Sequence, residues 1–136
     1  MPTTSKLAGK VAVVTGSGRN IGRAVALDLA AAGAAVVVNA RANAAEAEGV
    51  VKAIEQAGGR AAACLGDVAD PATAEKLVEI AIGRFGRLDI LVNNAALRRE
   101  RAFEQMSFDE WREVICIVLD GAFLCARACV PHLKAS

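Results

Sequence analysis

Short apolar runs, most of them rich in β-branched residues, alternate with Ala- and Leu-rich segments along the chain, with a period of about 25 residues. Four of these runs have the length of a strand and are mostly apolar, namely residues 11–15, 35–39, 60–65 and 88–92. Apolar runs of this kind are typical of strands that helices cover on both faces of a parallel sheet. The alternation therefore predicts an α/β fold.

The segments between the strands carry signals for the start and the end of a helix. Side chains suited to capping free amide groups stand at the starts, and glycines stand at the ends. The starts are marked by Asn43, Asp70 with Pro71, and Ser107, and the ends by Gly33, Gly58 and Gly86. The predicted helices cover residues 21–32, 43–57, 71–85 and 107–130, and Pro131 is expected to break the last one.

This order of strands and helices implies right-handed crossovers and a doubly wound parallel sheet. We expect the strand order 3-2-1-4 in three αβα layers, within one domain that spans residues 1–136. A ligand crevice is expected at the carboxyl ends of strands one and four, where the winding direction reverses. Residues 15–22, TGSGRNIG, and residues 93–96, NNAA, follow these two strands.

The loop TGSGRNIG has the composition of a phosphate cradle but an unusual spacing. It is one residue longer than G-x-G-x-x-G, and Arg23 excludes the Walker phosphate loop. Gly16 permits a sharp exit from the strand, Gly22 permits close packing of the helix, and Asn20 tolerates a left-handed backbone. Free amide groups at the helix start would hold a pyrophosphate. The alternative is a tight turn that binds no ligand.

Composition favours a small-molecule partner. Lys and Arg number 16 and Asp and Glu number 15, so the net charge of +1 gives no field for nucleic acid or an acidic membrane. The longest apolar run, residues 29–38, is short for a membrane helix, and the first ten residues have no signal-peptide core, so we expect a cytoplasmic protein.

The four cysteines, at 64, 116, 125 and 129, form no C-x-x-C pair and have apolar neighbours, so they are predicted to be packed thiols. Cys125, Cys129 and His132 share a helical face, but a zinc site needs a fourth ligand. We therefore expect no metal site.

The loop resembles the TGxxxGxG motif of the short-chain dehydrogenase/reductases. Three further stretches match this family in order and spacing, namely GDVAD at 66–70, RLDILVNNAA at 87–96, and the helical segment 111–127 with its GAFLCAR. Together they cover essentially the whole chain, and they are most similar to 3-oxoacyl-carrier-protein reductases. The resemblance implies a Rossmann-like fold and hydride transfer between a nicotinamide cofactor and a carbonyl carbon.

The resemblance also assigns cofactor contacts. The phosphates would be lined by Gly16, Ser17, Arg19, Asn20, Ile21 and Gly22, the adenine by Asp67 and Val68, and the ribose and nicotinamide side by Asn94, Ala95 and Ala96. Asn93 would instead tie strand four to its neighbours. A helix-capping role is the alternative for Asp67.

The sequence favours NADP(H) over NAD(H). An NAD site places an acid about 20 residues past the glycine loop, but VVVNARANAA contains none before Glu46. Arg41 and Arg19 would instead hold a 2′-phosphate, each contact contributing about 1.5–3 kcal/mol. The alternative is that Arg41 is a solvated surface residue.

The catalytic residues of the family are missing from the chain. It contains no tyrosine, and the family's Ser and Tyr-x-x-x-Lys would lie beyond residue 136, so we expect a domain truncated after its fourth βα unit. Aligned through GAF at 121–123, the family's catalytic Asn falls on Val118, which cannot bind a water. Two hypotheses follow: an NADP(H)-dependent oxidoreductase of ketones, secondary alcohols or 3-oxoacyl thioesters, or a catalytically impaired NADP-binding regulatory or scaffold protein.

Two further features concern partners. Arg98, Arg99 and Arg101 stand in the loop expected at the substrate entrance, where they would meet phosphopantetheine or an acidic substrate carrier, or else remain solvated. The helix at 107–130 is apolar nearly all round, which indicates deep burial or the interface of a homodimer or homotetramer.

Overall fold

The computed structural model describes residues 5–136 of the chain. Its strands are β1 (Val11–Val14), β2 (Ala35–Ala40), β3 (Arg60–Leu65) and β4 (Ile90–Val92). Its α-helices are α1 (Asn20–Ala31), α2 (Ala44–Gln56), α3 (Pro71–Phe85), α4 (Phe108–Ile115) and α5 (Gly121–Ala135), with a 3-10 turn at Phe103–Gln105. A π-helical turn, Cys116–Asp120, joins α4 to α5 in one long helix.

The four strands form one parallel sheet in the order β3-β2-β1-β4. Val13 of β1 is in register with Val37 of β2 and with Leu91 of β4. The predicted topology is therefore confirmed, and the winding reverses between β1 and β4 as expected. Both β3 and β4 lie at edges of this sheet.

Helices cover both faces of the sheet because alternate strand residues point in opposite directions. Val13 and Val37 pack with Leu77 of α3 and Cys125 of α5. On the other face, the neighbouring strand residues pack with α1 and α2, in a cluster that includes Val14, Val36, Val38, Ala26, Val50 and Ile54. This arrangement confirms the three αβα layers.

The predicted capping residues are found where the sequence places them. The Asn43, Asp70 and Ser107 side chains accept hydrogen bonds from the amides of Glu46, Ala72 and Glu110, respectively. Gly86 ends α3 with a left-handed backbone at φ 83°. These local hydrogen bonds explain why the starts of α2, α3 and α4 were predictable to within one residue.

Pro131 does not end the long helix, so the predicted break was wrong. Helix α5 continues through Pro131 to Ala135. A proline removes one backbone hydrogen bond, but Cys129 and Leu133 on either side of it pack against the core formed by the sheet and α3. Tertiary packing therefore holds the last turn in place despite the missing bond.

The thiols of Cys64, Cys125 and Cys129 are buried together in the core between the sheet, α3 and α5. Burial raises the pKa of all three, and it raises the pKa of Cys129 to about 12, with a smaller contribution from Cys125. They are therefore protonated at neutral pH and serve as small apolar groups, which confirms the prediction of packed thiols for these three. Cys116 is only half-buried.

The long helix exposes much of its apolar surface. Ile117, Gly121, Cys125 and Cys129 are buried, whereas Phe108, Trp111, Leu119, Phe123 and Val130 are exposed. From Phe108 to Ala135 it spans 28 residues, and by length and composition alone it is apolar enough to cross a membrane. One such helix is weak evidence for a membrane span, because the packed helices of soluble proteins pass the same test.

Candidate functional site

A cleft of about 500 Å³ lies at the carboxyl ends of the strands, next to the point where the winding reverses. The β1–α1 loop forms one wall, and the segments after β2, β3 and β4 form the others. All but one of the predicted cofactor residues line this cleft. They are Gly16, Arg19, Asn20, Ile21, Gly22, Arg41, Asp67, Val68, Asn94, Ala95 and Ala96.

The glycine loop owes its path to two left-handed residues. Gly16 has φ 61°, and a Cβ there would lie 2.9 Å from Ala95 Cα. Asn20 has φ 53° and is the only non-glycine residue with positive φ among residues 5–136. The expectation that Asn20 adopts the left-handed backbone is therefore confirmed.

Gly22 is the point of closest approach between α1 and the loop. A Cβ at Gly22 would overlap the Gly16 carbonyl oxygen and the Asn94 side-chain amide. Gly18 also lies in a tight place, since its Cβ would lie 3.2 Å from Glu46 Cβ on α2. The sequence pattern gave no role to Gly18, because its neighbour Glu46 is 28 positions away along the chain.

Helix α1 begins at the cleft without a side-chain cap. Its N-cap residue, Arg19, makes no capping hydrogen bond within the described chain, and its first turn contains no acidic residue. By contrast, α2, α3 and α4 are capped by Asn43, Asp70 and Ser107. The first amide groups of α1 are thus available to bind a ligand, and the helix dipole favours an anionic ligand. These features fit the pyrophosphate of a dinucleotide.

Ser17 is the predicted cofactor residue that does not line the cleft. Its hydroxyl is fully buried, donates to the Val14 carbonyl oxygen at 2.7 Å and accepts from the Asn39 amide at 3.0 Å. The side chain bridges β1 and β2 just beyond their last paired residues. Its prediction as a phosphate-lining residue is corrected, because the hydroxyl is already engaged on the inner side of the loop.

Asn39 holds the floor of the cleft together, a role that the sequence pattern did not reveal. Its Nδ2 donates to the carbonyl oxygens of Cys64 at 3.1 Å and Gly66 at 3.2 Å. Its Oδ1 accepts from the Gly16 amide at 3.0 Å. One buried amide therefore links the glycine loop to the segment after β3. The available signal was a polar residue at the end of the apolar run AVVVN.

Asn94 and Thr15 join the loop to the end of β4. Asn94 Nδ2 donates to the carbonyl oxygens of Thr15 and Gly16, each at 3.1 Å. Thr15 Oγ1 accepts from the amides of Asn94 and Ala95, each at 3.0 Å. The tying role expected of Asn93 thus belongs to Asn94, whereas Asn93 is exposed. Asn94 still lines the cleft, but its side-chain amide group is engaged by the protein.

Arg41 and Asp67 face each other at the adenosine end predicted for the cleft. Arg41 Nε lies 3.4 Å from Asp67 Oδ2. Asp67 Oδ1 accepts from the Ala69 amide at 2.9 Å, while Asp70 provides the cap of α3. Asp67 therefore stabilises the turn before α3 without capping the helix, and one of its oxygens faces Arg41.

The arginines after NNAA are all paired with acids. Arg99 lies 2.8 Å from Glu113, and Arg101 lies 2.7 Å from Glu110, so two ion pairs join this loop to α4. Arg98 pairs with Glu100 at 2.6 Å on an exposed surface. An anionic substrate carrier would have to displace these acids, so the arrangement favours the solvated alternative.

The long helix presents an apolar side chain to the cleft. Ile117 lines it, whereas Val118 lies one position further along the π-helical turn and is not among the residues that line it in the described chain. Gly121 packs on Val68, since a Cβ at Gly121 would lie 2.6 Å from Val68 Cγ2. Neither Ile117 nor Val118 can hydrogen-bond a water.

Solved structures of known proteins share this architecture. A dehydrogenase/reductase from Sinorhizobium meliloti is 38% identical with a TM-score of 0.91, over 96% of this chain and 52% of its own. A short chain dehydrogenase from Burkholderia cenocepacia, solved in complex with NADP, is 38% identical with a TM-score of 0.89, over 94% of this chain and 52% of its own.

Sequence relatives agree with the structural ones. Hydroxyacyl-CoA dehydrogenase ChsB1 of Mycobacterium tuberculosis is 48% identical over 96% of this chain and 42% of its own length. A 3-oxoacyl-[acyl-carrier-protein] reductase of Synechocystis is 41% identical over 90% of this chain and 49% of its own length. The chain thus spans about half the length of these relatives. A family model described as short chain dehydrogenase matches residues 10–136, so the chain belongs to the short chain dehydrogenase family.

Proposed function

We propose that this chain forms the cofactor-binding part of an NADP(H)-dependent oxidoreductase. Its substrates would be ketones or secondary alcohols, including 3-oxoacyl thioesters, the class named by the Synechocystis relative. The observation that carries the proposal is the uncapped start of α1, which lines a cleft that Arg41 also lines. Anion-binding amides and a guanidinium in one cleft suit a dinucleotide with a 2′-phosphate.

Different residues of the cleft would bind different parts of the cofactor. The amides of Asn20, Ile21 and Gly22 would hold the pyrophosphate, and Arg41, Asp67 and Val68 would hold the adenosine. Ala95, Ala96 and Ile117 would contact the nicotinamide side. When bound, the nicotinamide supplies hydride transfer to or from a carbonyl carbon. The chain contains no tyrosine, so we assign these residues to binding and orientation and not to proton transfer.

Replacing Arg41 with alanine is expected to remove most of the preference for NADPH. NADH lacks the 2′-phosphate that the Arg41 guanidinium would bind in NADPH. A charge-assisted contact of this kind contributes about 1.5–3 kcal/mol, or roughly ten- to hundredfold in affinity. Fluorescence titration of the full-length protein with NADPH and NADH would measure this. A wild-type protein that binds both equally, with no change in R41A, would refute the NADP(H) proposal.

A catalytically impaired NADP-binding protein is the second candidate. It is favoured by the apolar side chain of Val118, which stands where the family resemblance places an asparagine that holds a water, and by the apolar Ile117 that lines the cleft. The two candidates differ in turnover. We expect full-length protein to oxidise NADPH with at least one member of a panel of ketones and 3-oxoacyl thioesters. Tight NADPH binding without any turnover would favour the regulatory or scaffold role.

We further propose that the protein is a cytoplasmic homo-oligomer, a dimer or tetramer, whose subunits meet along the long helix. Phe123 is 61% exposed, and with Leu119 and Val130 it leaves an apolar surface that isolated soluble domains rarely show. Burying this surface between subunits would remove it from water. A subunit interface would therefore account for the apolar composition of the long helix without a membrane.

Phe123→Glu is expected to lower the mass of the full-length protein to that of a smaller assembly. A carboxylate placed in an apolar interface is strongly unfavourable, because it loses its hydration without gaining a partner. Light scattering coupled to gel filtration would measure the mass. Gln56→Glu at an exposed position of α2 adds the same single negative charge, serves as the charge-matched control and should leave the mass unchanged. An unaltered mass in F123E would exclude this surface as the interface.

A further inference from the structure

We infer that Asp67 limits the preference for 2′-phosphorylated ligands by competing for the guanidinium of Arg41. The inference rests on the proposed NADP(H) function of the cleft. Both side chains line the cleft, and Arg41 Nε lies 3.4 Å from Asp67 Oδ2 in the ligand-free protein. The group proposed to bind the 2′-phosphate is therefore already held by an internal anion.

The backbone places the two residues side by side. The Gly66 amide donates to the Ala40 carbonyl oxygen at 3.0 Å, and the Asn39 side chain donates to the Gly66 carbonyl oxygen at 3.2 Å. The ends of β2 and β3 are thereby held together. Arg41 and Asp67, the next residues along each segment, consequently meet across the mouth of the cleft.

Asp67 is the fixed partner and Arg41 the mobile one. Asp67 Oδ1 is held by the Ala69 amide at 2.9 Å, and only 35% of the Asp67 side chain is exposed. The longer Arg41 side chain is 61% exposed, so it is free to change rotamer. A 2′-phosphate would draw the guanidinium away from Asp67, whereas a ligand without that phosphate leaves the ion pair intact.

The ion pair lowers the affinity only for ligands that carry a 2′-phosphate. Every ligand with a 2′-phosphate must replace the Arg41–Asp67 pair, and a partly exposed pair of this kind changes an equilibrium by roughly two- to fivefold. The carboxylate also repels the incoming phosphate, which acts in the same direction. Any contact between Asp67 and the adenine is common to both ligand classes and cancels when they are compared.

The test compares adenosine 2′,5′-bisphosphate with adenosine 5′-monophosphate, which differ only in the 2′-phosphate. Calorimetry on the full-length protein gives the ratio of their dissociation constants. In Asp67→Asn this ratio is expected to shift two- to fivefold further in favour of the bisphosphate. Glu100→Gln, which removes a carboxylate from the exposed pair with Arg98, is the matched control and should leave the ratio unchanged.

A double-mutant cycle separates competition for Arg41 from a general charge effect. In the Arg41→Ala background, adding Asp67→Asn should shift the ratio less than it does in the presence of Arg41, because only the repulsion between carboxylate and phosphate is then removed. An equal shift with and without Arg41 would overturn the inference and leave the proposed cofactor standing, as would an unchanged ratio in D67N alone. If wild-type protein binds the two ligands equally, the NADP(H) proposal fails, and the inference fails with it.

Discussion

Gly22→Ala is expected to weaken dinucleotide binding by more than a hundredfold. The new methyl group would overlap the Gly16 carbonyl oxygen and the Asn94 side-chain amide, so α1 must move away from the loop. This movement shifts the amide groups proposed to hold the pyrophosphate. Losing two charge-assisted hydrogen bonds at about 1.5–3 kcal/mol each gives at least that factor. Fluorescence titration with NADPH would measure the affinity.

The same substitution should lower the free energy of unfolding by about 1–3 kcal/mol, as overpacking of a rigid contact does. Gly49→Ala is the matched control, because a Cβ at Gly49 meets no atom within 4 Å and the residue lies inside α2. We expect G49A to bind NADPH normally and to be more stable by about 1 kcal/mol. Normal NADPH affinity in G22A would show that the amides of α1 do not bind the cofactor.

Asn39→Ala is expected to lower the free energy of unfolding by about 3 kcal/mol. The substitution removes the acceptor of the Gly16 amide and the donor to the Cys64 and Gly66 carbonyl oxygens. Asn39 is only 1% exposed, so these groups lose their partner in a largely buried region, and each unsatisfied group costs about 1–3 kcal/mol. Urea unfolding of the full-length protein, followed by circular dichroism, would measure the loss.

Asn93→Ala provides the comparison, since it deletes the same side chain from an exposed position in the loop after β4. Its effect on the free energy of unfolding should stay within about 0.5 kcal/mol. Equal stabilities of N39A and N93A would mean that the hydrogen bonds of Asn39 contribute nothing beyond what water supplies. The pair of variants therefore separates a buried linking amide from one of the same chemistry at the surface.

The elements of the fold were predictable because their signals are local. Short apolar runs predicted the strands, and Asn43, Asp70 and Ser107 cap the helices that they were expected to start. The strand order followed from the handedness of successive crossovers, which depends on backbone twist and not on particular side chains. Asn20 was also predictable, because few residues other than glycine adopt its backbone conformation.

The errors concern residues whose role depends on distant partners. The helix continues through Pro131 because its neighbours pack in the core. Ser17 turns inward because its hydroxyl binds the Asn39 amide, and this partner is 22 residues away along the chain. Asn94 and Asn93 look alike in the sequence, and only the sheet decides which of them contacts the glycine loop. A hydrophobic pattern indicates which face is buried, but it does not identify which polar group will be paired there.

The uncapped start of α1 would make the proposed cofactor a contributor to the protein's thermodynamic stability. A helix that lacks a side-chain acceptor at its N-terminus frays more readily, and here a bound pyrophosphate would supply the missing acceptor. At a ligand concentration of 100 times its dissociation constant, this linkage adds about 2.7 kcal/mol to the folded state. Resistance to heat and to proteolysis would then follow the cellular supply of the nucleotide, so a depleted pool would shorten the lifetime of the protein itself.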